Sequence, residues 1–120
     1  YSEYQGGVIV TTRSLLANQP EKAAAFIESY LEGLKWVLDP ANEDDAKRLL
    51  GSQMPQIKPK AMTAVMNSLT SPKSGLTPSA ALLDKGMEQV IALRSKYGNG
   101  STPIAPVANF LDLSIYQNKL

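Results

Sequence analysis

A chain of 120 residues with 43% hydrophobic content is long enough for one globular domain, and folding at this size hides roughly two-thirds of the surface an unfolded chain exposes. Lys and Arg number 12 against 11 Asp and Glu, no basic cluster exceeds Lys47-Arg48, and aromatic residues are not interleaved with cations, so nucleic acid is not an expected partner. Cysteine and histidine are both absent, which removes thiolate and imidazole metal sites, cysteine nucleophiles and Ser-His-Asp triads, and rules out a disulfide framework without fixing the compartment.

No apolar run approaches the roughly 18 residues of a membrane span, so membrane insertion is not expected. No basic stretch followed by an apolar one opens the chain in the manner of a signal peptide. The chain starts at Tyr1 without an initiator methionine, and its organisation leads us to expect a fragment.

In chain order, residues 1–7 are polar and end in Gly6-Gly7, a loop whose backbone takes unusual dihedrals or approaches something closely. Val8-Ile9-Val10-Thr11-Thr12 follows with the composition of a strand, the only convincing one in the chain. A lone strand leaves its backbone donors and acceptors unpaired, so this one should pair either with sequence outside the chain or with another copy of itself.

Residues 13–17 have room for one helical turn. From Pro20, Ala23, Phe26, Ile27, Tyr30, Leu31, Leu34, Val37 and Leu38 recur at three- and four-residue steps, the period of an amphipathic helix. Asn18 with Glu21 reads as a capping box, with Pro20 in the first turn, and the helix should stop before Asp39-Pro40. Asn42 with Asp45 predicts a second cap, Glu43, Asp44 and Asp45 suit the positive end of the dipole, and Gly51 should close this short helix near Leu50. Pro59 then opens a helix with Ala61, Met62, Val65, Met66 and Leu69 on one face.

Ser71-Pro-Lys-Ser-Gly75 is a turn cluster, and Thr77-Pro78 predicts the start of a further helix carrying Leu82, Leu83, Met87, Val90, Ile91 and Arg94. Glycine inside a helix costs about 1 kcal/mol relative to alanine, so a break is expected near Lys85-Gly86. The run from Gly98 to Pro103 ends the helix, and Asp112 is placed to cap a last short helix through Tyr116. The whole reads as mainly α, five or six helices plus one strand near the N-terminus: a helical layer without the sheet it should cover.

The order of four stretches resembles a known family. The strand with Asn-Gln-Pro-Glu and its long helix (residues 8–38), Ser71-Pro-Lys-Ser-Gly-Leu-Thr-Pro78, Leu93-Arg-Ser-Lys-Tyr-Gly98 and Phe110-Leu-Asp-Leu-Ser-Ile-Tyr116 together resemble the C-terminal portion of a periplasmic substrate-binding protein. The group is the one serving nitrate, sulfonate, taurine and thiamin-precursor ABC importers. No single motif is diagnostic, and the weight lies in their order and spacing.

The resemblance implies a type II, two-lobed α/β periplasmic-binding-protein fold that closes over a small anionic or polar ligand. All of residues 1–120 would then form one C-terminal segment, with residues 8–12 as the hinge-proximal strand and residues 18–120 as the helical layer of one lobe. It implies a periplasmic location, an ABC permease as partner, no cofactor, no metal and no catalysis. Most ligand-contacting residues would lie upstream. Within this chain Tyr4, Gln5 and Gly6, beside the hinge-like strand, are the candidate ligand-binding residues, set against a plain solvent loop.

Other residues read more simply. Arg13 is placed to act as a bidentate anion partner, but a surface arginine is the ordinary reading. Phe26, Tyr30 and Trp36 read as core and its margin, and Met54, Met62, Met66 and Met87 as core filler. The carboxylates at 43–45 read as helix-dipole complement rather than a cation site. Two other classes stay open: a fragment of a thiamin-pyrimidine synthase-like enzyme, whose histidine ligands would all lie outside this chain, and a stand-alone helical interaction domain that dimerises through residues 8–12.

Overall fold

The computed structural model describes residues 4–98 and 104–120. Among them lie six α-helices: α1 (Arg13–Asn18), α2 (Pro20–Leu38), α3 (Glu43–Gln53), α4 (Pro59–Leu69), α5 (Asp84–Tyr97) and α6 (Ser114–Gln117). The molecule is mainly helical, and no strand forms among the described residues. The expected strand at residues 8–12 is therefore corrected to unpaired chain, because no described segment lies alongside it to complete a ladder. Its side chains stand out: Val8, Ile9 and Val10 are 48%, 55% and 82% exposed.

Prolines set most of the helix boundaries. Thr12 is extended, and its hydroxyl accepts from the Leu15 amide at 3.1 Å to start α1. Pro20 disfavours helical geometry in Gln19, which sits at φ −145°, so α1 ends at Asn18 and α2 begins at the proline itself. Asn18 consequently does not cap α2; its side-chain amide donates to Ser14 Oγ at 3.2 Å. At the other end Asp39 is extended before Pro40, and α2 stops at Leu38 as expected.

The next two expected caps fall elsewhere. Asp39 Oδ1 accepts from the Ala41 amide at 2.9 Å and caps a 3₁₀ turn at Pro40–Asn42. Asn42 makes no N-cap bond to α3. Its side chain donates instead to the Trp36 carbonyl at 3.0 Å, which also accepts from the Asp39 amide at 3.3 Å at the end of α2. Gly51 does not end α3 either; the helix runs on to Gln53 and stops before Pro55.

The chain divides into two compact units, a central one (Ala25–Ala81) and a terminal one (Tyr1–Ala24 with Leu82–Leu120). In the central unit α3 packs on α4, and a Cβ at Gly51 would stand 3.3 Å from Met62 Cε. The face of α4 expected to be apolar is the covered one, with Met66 only 2% exposed; Ala46 and Leu34 complete the buried set. The turn after α4 closes through Leu76 N–H to the Leu69 carbonyl at 2.7 Å and Gly75 N–H to the Ser71 carbonyl at 2.8 Å. A side chain at Gly75 would overlap Leu69 O and Ser71, so only glycine fits there.

In the terminal unit α5 packs on a 3₁₀ turn at Val107–Phe110. The helix expected from Pro78 begins only at Asp84. Pro78–Ala80 forms a single turn with Ser79 and Ala80 at φ 60° and 53°, and Ala81 to Leu83 are extended or nearly so. The break therefore precedes the expected Lys85-Gly86 position, and Gly86 is a buried residue in the first turn of α5. Gly98 ends α5 as expected, its amide reaching the Arg94 carbonyl at 2.8 Å; residues 99–103, the rest of that stop signal, lie outside the described residues.

The chain exposes 9268 Å². Beyond Leu34, Ala46 and Met66, large apolar side chains such as Phe26, Leu49 and Phe110 remain exposed. No helix among the described residues is long and apolar enough to cross a membrane.

Candidate functional site

The three candidate ligand-binding residues come together with the start of α5. Gln5 Oε1 accepts from the Leu83 amide at 3.1 Å, and Gln5 Nε2 donates to the Gly7 carbonyl at 2.7 Å. Leu83 is the N-cap residue of α5 and has no side chain able to serve it. A glutamine 78 positions away in sequence accepts from the Leu83 amide itself, the bond that the third helical residue makes in a capping box and that Gly86 has no side chain to make. The backbone follows: a Cβ on Gly86 would lie 2.9 Å from Gln5 N and 3.2 Å from the Tyr4 carbonyl carbon. The glycine that looked like a helix break is instead the place where two backbones touch.

This geometry separates the roles of the three residues. Gln5 uses one donor and one acceptor to fix the loop, leaving one N–H and one lone pair for anything else. Tyr4 is 54% exposed, and its ring lies 3.8 Å from where a Cβ of Gly6 would stand, so it covers one side of Gly6 while keeping a face free. The loop is thus held in place with an aromatic ring and glycine backbone at its surface. Sequence reasoning named the loop but missed Leu83 and Gly86, although a lone glycine early in a helix was a signal for close backbone approach.

Arg13 stays in the terminal unit near Asp112. Asp112 Oδ1 accepts from the Ser114 hydroxyl at 2.6 Å and from the Ser114 amide at 3.1 Å, an Asx turn just before α6, whose N-cap residue is Leu113 rather than the expected Asp112. These two bonds, the hydroxyl first, hold the Asp112 carboxyl below the usual aspartate range; slight desolvation opposes them and the Arg13 charge assists. The Arg13 charge is the smallest of these causes.

In the central unit, Gly51, Pro55, Ile57, Pro59 and Met62 line an open groove of about 520 Å³ together with Lys47 and Arg48. Both cations are engaged along α3. Lys47 Nζ lies 2.6 Å from Glu43 and 4.0 Å from Asp44, and Arg48 lies 2.9 Å from Asp45. The Glu43 hydrogen bond is the first cause of the raised Lys47 pKa, with the Glu43 and Asp44 charges adding to it against desolvation. The acidic triplet is spent on its own helix, in favourable i,i+4 and i,i+3 spacings. Among the described residues no group of three or more Asp or Glu could hold a metal ion.

The aromatic residues of α2 depart from the core reading. Phe26 and Tyr30 stack with ring centroids 6.5 Å apart, yet they are 55% and 41% exposed, and Trp36 is 39% exposed. Met54 is exposed as well, while Met62, Met66 and Met87 are wholly or partly covered. The rings sit beside the most covered stripe of the helix and have no cover of their own.

Comparison with family models, with curated proteins and with solved structures found no match to this chain.

Proposed function

We propose that this chain is the C-terminal part of an extracytoplasmic solute-binding protein that delivers a small anionic or polar molecule to an ABC permease. The observation that carries the reading is α2, which has the apolar period of a packed helix over 19 residues but buries only Leu34. A helix of that kind belongs against a sheet, and residues 8–12 have the composition of a strand of such a sheet. The order of residues along the chain, resembling the nitrate, sulfonate, taurine and thiamin-precursor receptors, says which two-lobed fold would supply it.

In this reading the chain performs no bond chemistry. The Tyr4 ring and the backbone at Gly6 contribute to the ligand cleft, and Gln5 holds them against Leu83. The protein works in the periplasm and changes state by closing its lobes. Titration calorimetry of the full-length gene product against nitrate, taurine, an alkanesulfonate and a thiamin pyrimidine tests it. One of the four is expected to bind with a 1:1 stoichiometry, and Tyr4→Ala should weaken it. No heat with any of them, or a gene product with no sheet-forming sequence before residue 8, overturns the reading.

A further inference from the structure

We propose that the groove between the end of α3 and the start of α4 docks an acidic peptide segment, which sets branched aliphatic side chains against Ile57 and Met62 and its carboxylates beside Lys58 and Lys60. Local structure keeps the groove open. Gly51 lies inside α3 without a positive φ and without ending the helix, so the conformational freedom of glycine is not used there. What its missing side chain does is leave space: a Cβ at Gly51 would stand 3.3 Å from Met62 Cε, another groove residue. Pro55 and Pro59 fix the backbone of the rim, and between them the Ile57 amide donates to the Met54 carbonyl at 3.0 Å. A surface held in this way has little ordering left to lose on binding.

Charge says what the occupant carries. From Ala46 to Leu83 the sequence has no acidic residue and five basic ones, Lys47, Arg48, Lys58, Lys60 and Lys73. Lys47 and Arg48 turn back to Glu43, Asp44 and Asp45, so their charges are neutralised and their stems line the groove. Lys58 and Lys60 stand on either side of the groove residue Pro59, both exposed, with no carboxylate within ion-pair distance among the described residues. The first turn of α4 has no acidic residue to offset them. An apolar floor beside two unpaired cations is complementary to leucine-like side chains next to carboxylates.

Shape favours a peptide over a small amphiphile. The groove of about 520 Å³ is open to solvent, whereas sites for small molecules bury most of their ligand. A peptide needs only its apolar side chains covered. The lining has no aromatic residue, which leaves no stacking platform for nucleobases.

Fluorescence anisotropy of labelled Glu-Glu-Glu-Leu-Leu-Glu-Glu-Glu titrated with the 120-residue chain tests this. Saturable binding is expected, weakened roughly tenfold when serines replace the leucines, and again when salt rises from about 50 to about 500 mM. Lys58→Glu combined with Lys60→Glu should weaken it at least about tenfold. Gly51→Leu fills the groove with a better helix former, so binding should be lost while far-ultraviolet circular dichroism is kept. No saturable binding, indifference to the leucines, or full binding by either variant overturns the proposal. Dodecanoate binding more tightly than the peptide would assign the groove to an anionic amphiphile, and a chain dimer that G51L abolishes would assign it to a second copy; each overturns it as well. None of these measurements uses a transported solute, so this proposal and the one on solute binding can fail separately.

Discussion

The central and terminal units form helices equally well and bury them unequally. Leu34, Ala46 and Met66 are all central, at 7%, 4% and 2% exposure. In the terminal unit the one residue of α5 that is buried is Gly86, while Tyr97 and Phe110 are 67% and 59% exposed. Helix formation there rests on local signals, namely the Thr12 cap, the Asp112 bonds to Ser114 and the proline boundaries. Burial needs a neighbour, and the central unit has one in the α3–α4 pair. The terminal unit has formed helices and no fully buried large side chain among its described residues; its apolar cover is partial, at Leu82, Met87, Val90 and Ile91, and the Gln5–Leu83 bond ties its two segments together.

Truncating a side chain in each unit should give the largest contrast. Met66→Ala removes the most deeply buried side chain and should cost about 2–5 kcal/mol in urea unfolding. Phe110→Ala should stay within about 0.5 kcal/mol, as exposed positions do. If the phenylalanine costs as much as the methionine, the terminal unit has a core and the comparison collapses.

Two glycines sharpen it at the next level. Gly86→Ala forces a Cβ into the Tyr4–Gln5 backbone and should destabilise by about 1–3 kcal/mol. Gly33→Ala, mid-helix in α2 with nothing within 4 Å of the new Cβ, should stabilise by about 0.5–1 kcal/mol. The same substitution is thus expected to act with opposite signs in the two units. Gln5→Ala should be milder, about 1 kcal/mol, the worth of a cap, and should speed exchange of the Leu83 amide more than that of amides in α4. Equal acceleration in both places would mean that Gln5 does not act on α5 in particular.

What the sequence reveals follows the same division between local and distant causes. The limits of α2 and the start of α4 are written in Pro20, Pro40 and Pro59, because a proline constrains its immediate neighbour whatever lies further off. The covered face of α4 is equally legible, since its period repeats within the helix. Asn18, Asn42 and Gly51 mislead because each fits a local pattern while a competing partner, Pro20, the Trp36 carbonyl or Pro55, decides the outcome. Gly86 misleads most, for its reason lies at Gln5, far away in sequence. The strand at residues 8–12 shows the limit of composition: β-branched residues favour an extended backbone, but a ladder needs a second segment. The loop at residues 4–6 was legible as a candidate from its Gly-Gly and aromatic neighbours, whereas its anchor at Leu83 was not.

The smallest effect expected lies at Asp112. Its folded-state pKa is lowered, mainly by the Ser114 hydroxyl and then by the Ser114 amide. The carboxylate therefore contributes stability above the ordinary aspartate value of about 3.9, and that contribution is lost as pH falls through the lower folded value. Acid should fray α6 in this window. A carbon-detected NMR titration should show an Asp112 midpoint below the ordinary value. Ser114→Ala, which removes the first cause and keeps the amide, should move it part of the way back up, and Arg13→Gln should move it less. If Arg13→Gln shifts the midpoint more than Ser114→Ala does, charge rather than the Ser114 turn controls Asp112, and the terminal unit is held by an ion pair at the place where we assign it a local hydrogen bond.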